Sequence, residues 1–333
     1  MGNILKVSCL IIATIIGAGF SSGREIYTFF NIYKDNIVFI LISTFLVFYF
    51  TIYYTLKLSY KSKIYNYNQL TNKLFGKRIN KVVDKILNIF LLIIFSIMVA
   101  GFGEFMYTVL GIPKIWGSLV LLIICFITLL NNIEGIMKVS VFIVPIIILS
   151  IIGLFIFEVN SNNILIKENI EAINFFSGII YASYNLVIAI PVIVSSSKII
   201  ENVREIKYIS LISSSILLVL IILIYLILEE YMYIIKNISM PLLYIARLVN
   251  NSMYILYLIV IAISIYSTAV STQYSLVQKY NKERYILAIL ATGILSLIIS
   301  FISFNKLIDI CFPIIGWIGI IQTFYIIYIQ KKK

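Results

Sequence analysis

Histidine is absent from this sequence of 333 residues, and charged residues make up only 12% of it. Its 14 aspartates and glutamates form no catalytic cluster along the chain. Histidine and closely placed carboxylates perform most general acid–base catalysis in enzymes. The commonest catalytic apparatus is therefore missing, and we predict that the protein is not an enzyme.

Cysteine is scarce as well. The three cysteines, Cys9, Cys125 and Cys311, lie within separate apolar runs and have no paired spacing. Such cysteines indicate neither a disulfide framework nor a metal site. We expect them to be small residues of the protein core.

The low charge content accompanies 62% hydrophobic residues and a mean hydropathy of +1.06. Soluble domains contain about 25% charged residues, so the sequence predicts an all-α integral membrane protein. The polar segments between the apolar runs are too short to form a soluble domain. We therefore predict a single membrane domain over residues 1–333.

The net charge of +12 would fit a nucleic-acid partner if the protein were soluble. In a membrane protein, cationic residues gather on cytoplasmic loops and beside anionic lipid headgroups. The expected partners are therefore the lipid bilayer and a small-molecule substrate, with no nucleic acid. The sequence leaves the oligomeric state open.

A transmembrane helix needs about 20 apolar residues, and the chain contains ten such segments, called span one to span ten below. They are residues 4–30, 37–58, 83–110, 116–130, 135–157, 173–194, 208–228, 253–277, 285–304 and 307–329. With the N-terminus in the cytoplasm, most of the 26 cationic residues fall on cytoplasmic loops, as the positive-inside rule requires. Ten spans place the C-terminus in the cytoplasm too. An excess of Ile, Asn, Lys and Tyr indicates an AT-rich bacterial genome, so we expect the bacterial cytoplasmic (inner) membrane.

Two further segments contain apolar residues without forming spans. Residues 240–249 include Pro241 and Arg247, which predicts a re-entrant or surface helix before span eight. Residues 61–81 mix basic residues with Tyr65, Tyr67 and Phe75. This mixture predicts an amphipathic helix on the inner leaflet.

Ten spans divide into two halves of five, and an odd number of spans gives the two halves opposite orientations. This is an inverted repeat, here about residues 4–157 and 173–329. In such transporters, Gly- or Pro-interrupted spans at corresponding positions mark the binding site. Span one contains GAGFSSGRE at 17–25, and span six contains Gly178, a polar run at 181–185 and Pro191. We therefore predict that helices 1 and 6 are broken.

The run GAGFSSGRE resembles the G-A-G-F-A-S-G-Q-E signature of YkvI-like bacterial membrane proteins. This group is placed in the amino acid-polyamine-organocation (APC) superfamily, which has the LeuT fold. The present chain differs at Ser21, where the signature has Ala, and at Arg24, where it has Gln. The resemblance implies a secondary transporter with two broken helices, and it names no substrate.

The break in span one is expected to direct backbone N–H groups toward a substrate carboxylate, because helix N-termini attract anions. We assign Gly17, Gly19 and Phe20 to this role through their backbones, together with Ser21. The alternative is that the glycines only allow close helix packing.

The polar run of span six is expected to line the same cavity. Tyr181, Ser183, Tyr184 and Asn185 would receive an ammonium group of the substrate. Asn185 is the most informative member, because an unpaired amide in lipid is costly. The alternative is that the tyrosines lie at the membrane interface or serve packing.

Span eight contains a stripe of hydroxyl residues. By resemblance to sodium-dependent LeuT-fold carriers, Ser267 and Thr268 with the carbonyls of Ala13 and Ile16 form a candidate sodium site. The alternative is that the hydroxyls bond to their own helix or to a neighbour. Lys138, near the inner end of span five, is expected to snorkel to the cytoplasmic surface. The alternative is that it acts in place of the cation, like the lysine that some proton-coupled relatives have on this helix.

Charged residues inside membrane spans are functional candidates. Arg24 and Asp309 are placed to close the cavity from outside as an ion pair, and Glu104 is the rival partner of Arg24. Glu25 has no assigned partner.

The resulting prediction is an importer of an amino acid or a similar small zwitterion or amine. It would work by alternating access and ion coupling, with sodium preferred slightly over protons. The alternative, from another class of protein, is a ligand-sensing receptor subunit on the same fold that does not transport.

Overall fold

The computed structural model describes residues 2–32, 37–130, 132–159, 176–302 and 304–331. Within these ranges, side chains are described except at 77–80, 132–139, 159, 282–283, 304–306, 308–309 and 329–331. The predicted start of span six at residue 173 lies outside the described residues.

Span one consists of short pieces, whereas spans two to five are single helices, of which span four is the shortest. Its pieces are α1 (Gly2–Ile15), α2 (Ala18–Ser21), α3 (Arg24–Ile26) and a π-helical turn (Tyr27–Asn31). The helices that follow are α4 (Ile37–Ser62), α5 (Tyr67–Leu110), α6 (Lys114–Leu129) and α7 (Asn132–Val159).

The second half begins with a long helix, and two short helices precede span eight. These elements are α8 (Ser177–Ser196), a 3-10 turn (Ser197–Ile199), α9 (Val203–Glu230), α10 (Met232–Ile235) and α11 (Pro241–Val249). Spans eight to ten are α12 (Asn251–Val277), α13 (Lys282–Ile299) and α14 (Phe304–Lys331).

Asparagine side chains fix the start of three of these helices. The side chains of Asn66, Asn202 and Asn250 accept hydrogen bonds from backbone N–H groups in the first turns of α5, α9 and α12. Such N-caps satisfy amides that have no partner within the helix. At the other end of α5, Gly111 adopts a left-handed conformation and stops the helix.

Ten of the described helical segments match the ten predicted spans. Seven are long and apolar enough to cross a membrane, and three shorter apolar helices complete the set: Gly2–Ile15, Lys114–Leu129 and Arg284–Ile299. The fold class is therefore all-α with ten membrane helices, as predicted. The repeat limits near 4–157 and 173–329 stay predictions.

The helix contacts follow the symmetry expected of two repeats. Helix α1 packs against α7 and α9, and its counterpart α8 packs against α14 and α4. Spans one, five and seven of this set correspond to spans six, ten and two of the other half. Each contact of α1 therefore has a counterpart among the contacts of α8. Helices α4 and α9, and likewise α5 and α12, are counterparts that pack on each other. The broken first span and α8 lie together at the centre.

Span six differs from its prediction in one respect, because α8 is one continuous helix through Pro191. The predicted break in helix 6 is therefore not found in α8. We predicted it from Gly178, the polar run at 181–185 and Pro191, as the marks of an interrupted span. However, 94% of the apolar stretch of this span is buried inside the protein and not exposed to lipid. In addition, Asn185 Nδ2 donates a hydrogen bond within the helix, to Tyr181 O at 3.1 Å.

The predicted amphipathic segment is the first part of α5. Gly76 interrupts it with a φ of 73°, a left-handed conformation that favours glycine. Its apolar face packs on span ten, where Phe75 stacks on Tyr325 at 4.8 Å between ring centroids. Gln322 Nε2 donates to Tyr67 Oη at 2.9 Å. The segment thus contacts protein on this face and not only the lipid surface.

Candidate functional site

Span one is interrupted at Ile16 and Gly17, between α1 and α2. The Gly17 amide donates to the Ile15 carbonyl at 2.9 Å, which departs from the α-helical pattern. A β-carbon at Gly17 would lie 3.1 Å from Thr268 Oγ1 and 3.3 Å from Met98 Sδ. Glycine therefore allows α12 and α5 to approach the backbone closely at the break.

The break deprives carbonyls in the last turn of α1 of their usual helical partners. Ser267 Oγ donates to Ala13 O at 3.0 Å, and Thr268 Oγ1 donates to Thr14 O at 3.0 Å. Thr268 Oγ1 also lies 3.4 Å from Ala13 O. Hydroxyl groups of α12 thus satisfy the carbonyls that the break exposes.

The structure brings together three of the four residues predicted for a sodium site: Ser267, Thr268 and Ala13. The second carbonyl that these hydroxyls contact is that of Thr14, and the role of the Ile16 carbonyl stays a prediction. Two hydroxyls and two carbonyls are the hard oxygen ligands that such cations prefer. The packing alternative predicts the same contacts, because each hydroxyl already has an acceptor.

Glu25 is an ionisable residue at the centre of the site, although it is only 3% exposed. Its carboxyl lies against Gly19, so a β-carbon on Gly19 would overlap it. The adjacent Phe20 is fully buried. Tyr184 of α8 donates its hydroxyl to Glu25 Oε2. Among the described residues, no lysine or arginine forms a salt bridge with this carboxyl.

Aromatic rings surround this hydrogen bond. Tyr184 stacks on Phe312 of α14 at 4.6 Å between ring centroids and lies 5.7 Å from Phe29. Tyr181 meets Tyr184 edge-on at 5.5 Å and Phe30 at 4.9 Å. Such rings exclude water, and their faces attract cations.

The other predicted substrate contacts have local partners or none. Ser21 Oγ donates to Gly17 O at 2.8 Å, and Asn185 bonds within α8 as described above. Ser183 Oγ is buried and has no hydrogen-bond partner among the described residues. None of these hydrogen bonds therefore joins the side chain of one predicted substrate contact to the side chain of another.

The short helix α11 packs on span one beyond the break, on its predicted outer side. The Leu242 amide of α11 donates to Ser22 O at 2.8 Å. Gly23 has a φ of 82°, and a β-carbon there would lie 2.8 Å from Leu242 Cγ. Arg24 Nη1 donates to the carbonyl of Lys236, just before α11, at 2.7 Å. The segment predicted as a re-entrant or surface helix thus packs directly on span one.

Of the predicted gate residues, Glu104 has a described ion-pair partner other than Arg24. Glu104 forms a salt bridge with Lys114 at 2.5 Å, and Arg24 bonds the loop before α11. The side chains of Asp309 and Lys138 lie outside the described residues. The Arg24–Asp309 pair therefore stays a prediction.

The partner of Glu25 is the residue relationship that sequence reasoning missed. Glu25 and Tyr184 are 159 residues apart. A signal was present, because Glu25 follows the break of span one and Tyr184 lies in the polar run of its counterpart, span six. Placing the first spans of the two repeats side by side would have predicted that these residues are close.

Comparison with known proteins gives two uncharacterized relatives. No family model matches the chain. The uncharacterized membrane protein YkvI of Bacillus subtilis is 23% identical over 96% of this chain and 94% of the relative. The uncharacterized protein YyaD of Bacillus subtilis is 22% identical over 63% of this chain and 61% of its own length.

Solved structures of membrane transporters share the fold. Mhp1, a nucleobase-cation-symport-1 family transporter with bromovinylhydantoin bound, matches 92% of this chain and 74% of its own, with a TM-score of 0.64 and 10% identity. A manganese transporter of Eremococcus coleocola matches 90% of this chain and 69% of its own, with a TM-score of 0.61 and 13% identity. The chain thus has the LeuT-like fold of these transporters.

Proposed function

We propose that this protein is a secondary transporter that imports a small amine or amino acid by alternating access, coupled to an ion. The central site would lie between the break of span one and α8. The proposal includes membership in the APC superfamily. It also includes a location in the bacterial cytoplasmic membrane, with both termini in the cytoplasm.

One observation carries this proposal, the hydrogen bond from Tyr184 to Glu25 beside the break. It joins corresponding spans of the two halves, and the carboxyl lies against Gly19, just beyond the break. Ionisable residues buried within a membrane domain are costly, and they mark substrate or ion pathways. A buried carboxyl at this position therefore favours a pathway over a purely structural core.

Among the predicted substrates, the Glu25 carboxyl favours an amine over an amino acid. It lies against Gly19, next to the backbone amides proposed to bind a substrate carboxylate. A second carboxylate there would be repelled, whereas an ammonium group would pair with Glu25. In this proposal Gly17, Gly19 and Phe20 line one wall, and the polar run of α8 lines the other.

Sodium coupling is proposed at the hydroxyl and carbonyl oxygens of Ser267, Thr268, Ala13 and Thr14. When bound, the ion would replace hydroxyl protons as the partner of these carbonyls. It would thereby link α12 to the break in span one. No other cofactor is proposed.

Counterflow in proteoliposomes tests the transport function. Purified protein is reconstituted with an unlabelled amine or amino acid inside, and entry of the labelled compound is measured. We expect exchange with the wild type and a loss of exchange of at least about tenfold with Glu25→Gln, which keeps the shape of the side chain but cannot ionise. Glu201→Gln changes an exposed carboxyl outside the proposed site, so it is the control and should retain exchange.

Binding of the labelled compound without its exchange across the membrane would contradict the transport proposal. It would favour the non-transporting receptor subunit instead, because such a protein holds its ligand without moving it across. An equal loss of exchange in Glu25→Gln and Glu201→Gln would mean that the effect does not come from the proposed site.

A further inference from the structure

A groove with a volume of about 440 Å³ lies between α5, α12 and α13, apart from the central site. One end is polar and is lined by Lys81, Lys85, Lys279 and Asp84. Lys279 Nζ lies 3.6 Å from Asp84 Oδ2, so the aspartate offsets one lysine. The other two lysines are exposed and leave this end with a net positive charge.

The other end of the groove is apolar and open to the membrane. Ile89 and Leu295 line it, and each is 48% exposed. Ala288 and Ala291 of α13 also line the groove, and their small side chains leave its space unfilled. In a membrane-spanning protein, exposed apolar side chains at this depth contact lipid chains.

The length of the groove corresponds to one leaflet. From Lys81 to Leu92, both of which line it, an α-helix rises about 16 Å at about 1.5 Å per residue. The hydrocarbon core of a bilayer is about 30 Å thick, so one leaflet contributes about 15 Å. A molecule filling the groove would have its charge at the headgroup level and its apolar part near the bilayer centre.

The predicted topology puts the lysine end on the cytoplasmic side. Anionic lipids of that leaflet bind basic pockets between transmembrane helices. A soluble anion would use the lysines alone and would leave the apolar end without a role. The combination of a basic end and an apolar groove one leaflet long therefore favours a lipid.

We propose that this groove binds an anionic phospholipid. Its phosphate would lie among Lys81, Lys85 and Lys279, and one acyl chain would follow Leu92 and Leu295. This inference concerns a surface of the protein away from Glu25, so it does not depend on the proposed transport function.

Native mass spectrometry of the whole protein in detergent tests the proposal. Phosphatidylglycerol is titrated against phosphatidylcholine of the same acyl chains. The wild type is expected to retain one molecule of phosphatidylglycerol in preference to phosphatidylcholine. Combined Lys81→Gln, Lys85→Gln and Lys279→Gln should weaken this binding by at least about tenfold, because each lysine attracts the anionic headgroup.

Two control variants separate the groove from general surface charge. Lys57→Gln, Lys61→Gln and Lys207→Gln together remove the same charge from the same predicted membrane side, and they should leave binding within about twofold. Ala291→Phe fills the groove without changing the charge, and it should weaken phosphatidylglycerol binding severalfold. It should not change binding of soluble glycerol phosphate.

Three results would overturn the proposal. Phosphatidylcholine could bind as tightly as phosphatidylglycerol, or the two triple variants could lose binding equally. Alternatively, glycerol phosphate could bind as tightly as the lipid while Ala291→Phe has no effect. That last result would identify a site for soluble anions only.

Discussion

The carboxyl of Glu25 occupies the space beside Gly19 that a β-carbon would need, and the Tyr184 hydroxyl bonds it there. This contact links the part of span one beyond the break to α8. Both spans are the first of their halves, so the contact lies where the two repeats meet. Changes at this position should therefore affect ligand handling as well as stability.

Tyr184→Phe removes the described hydrogen-bond donor of a buried carboxyl. We expect a loss of about 1 to 3 kcal/mol in unfolding free energy, together with weaker ligand binding. Tyr257→Phe is the matched control, because the Tyr257 hydroxyl is fully buried and has no hydrogen-bond partner among the described residues. Thermal unfolding in detergent compares them, and equal effects would contradict the assigned role of Tyr184.

Gly19→Ala should displace the Glu25 carboxyl, because the new β-carbon would overlap it. We expect destabilisation by about 1 to 3 kcal/mol and loss of ligand binding, with membrane insertion intact. In Gly293→Ala, the nearest atom to the β-carbon is Leu122 Cδ2 at 3.8 Å. That control should gain about 0.5 to 1 kcal/mol, since alanine favours a helix. Wild-type affinity in Gly19→Ala would refute the site assignment.

Sodium should raise the thermal unfolding temperature if it binds the break. At 100 times its dissociation constant, a ligand stabilises by about 2.7 kcal/mol. Combined Ser267→Ala and Thr268→Ala should remove this response, because both hydroxyls leave the site. The control double variant, Ser264→Ala with Thr272→Ala, should keep the stabilisation by sodium.

Ser264 and Thr272 suit this control because their hydroxyls bond within α12, to Val260 O at 2.7 Å and to Thr268 O at 2.6 Å. An unchanged sodium response in the Ser267 and Thr268 variant would mean that these hydroxyls only cap the exposed carbonyls. A wild type that does not respond to sodium would lead to the same conclusion.

Gly23→Ala should loosen α11, because its β-carbon would lie 2.8 Å from Leu242 Cγ. Gly111→Ala introduces the same kind of left-handed strain, about 1 to 2 kcal/mol, but has no atom within 4 Å of its β-carbon. Hydrogen exchange over residues 241–249 should be faster in Gly23→Ala than in Gly111→Ala. Equal exchange rates would mean that α11 does not depend on this contact.

The positions of the spans could be read from the sequence, because membrane helices need long apolar runs whatever their neighbours are. Span two was predicted from residue 37, and α4 begins at Ile37. The break in span one was predicted from its glycines and lies at Ile16 and Gly17. These features depend on local composition, so the sequence carries them directly.

The contacts of the site depended on residues far apart in the chain. The sequence predicted a broken helix 6 from its glycine, polar run and proline, yet α8 stays helical because it is enclosed by protein and Asn185 bonds within the helix. The candidate cation ligands included Ile16, whereas the helix end presents Thr14 to Thr268. Local polarity does not determine which carbonyls a neighbouring helix will reach.

The sequence by itself determined the membrane class, the number of spans and the place of the break, since these follow from hydropathy and glycine content. Only the tertiary structure decided that Tyr184 bonds Glu25, that Ser267 bonds Ala13 and that α11 packs on span one at Ser22. The physical reason is that hydrogen bonds and packing join surfaces brought together by folding, and their partners are not neighbours in the chain.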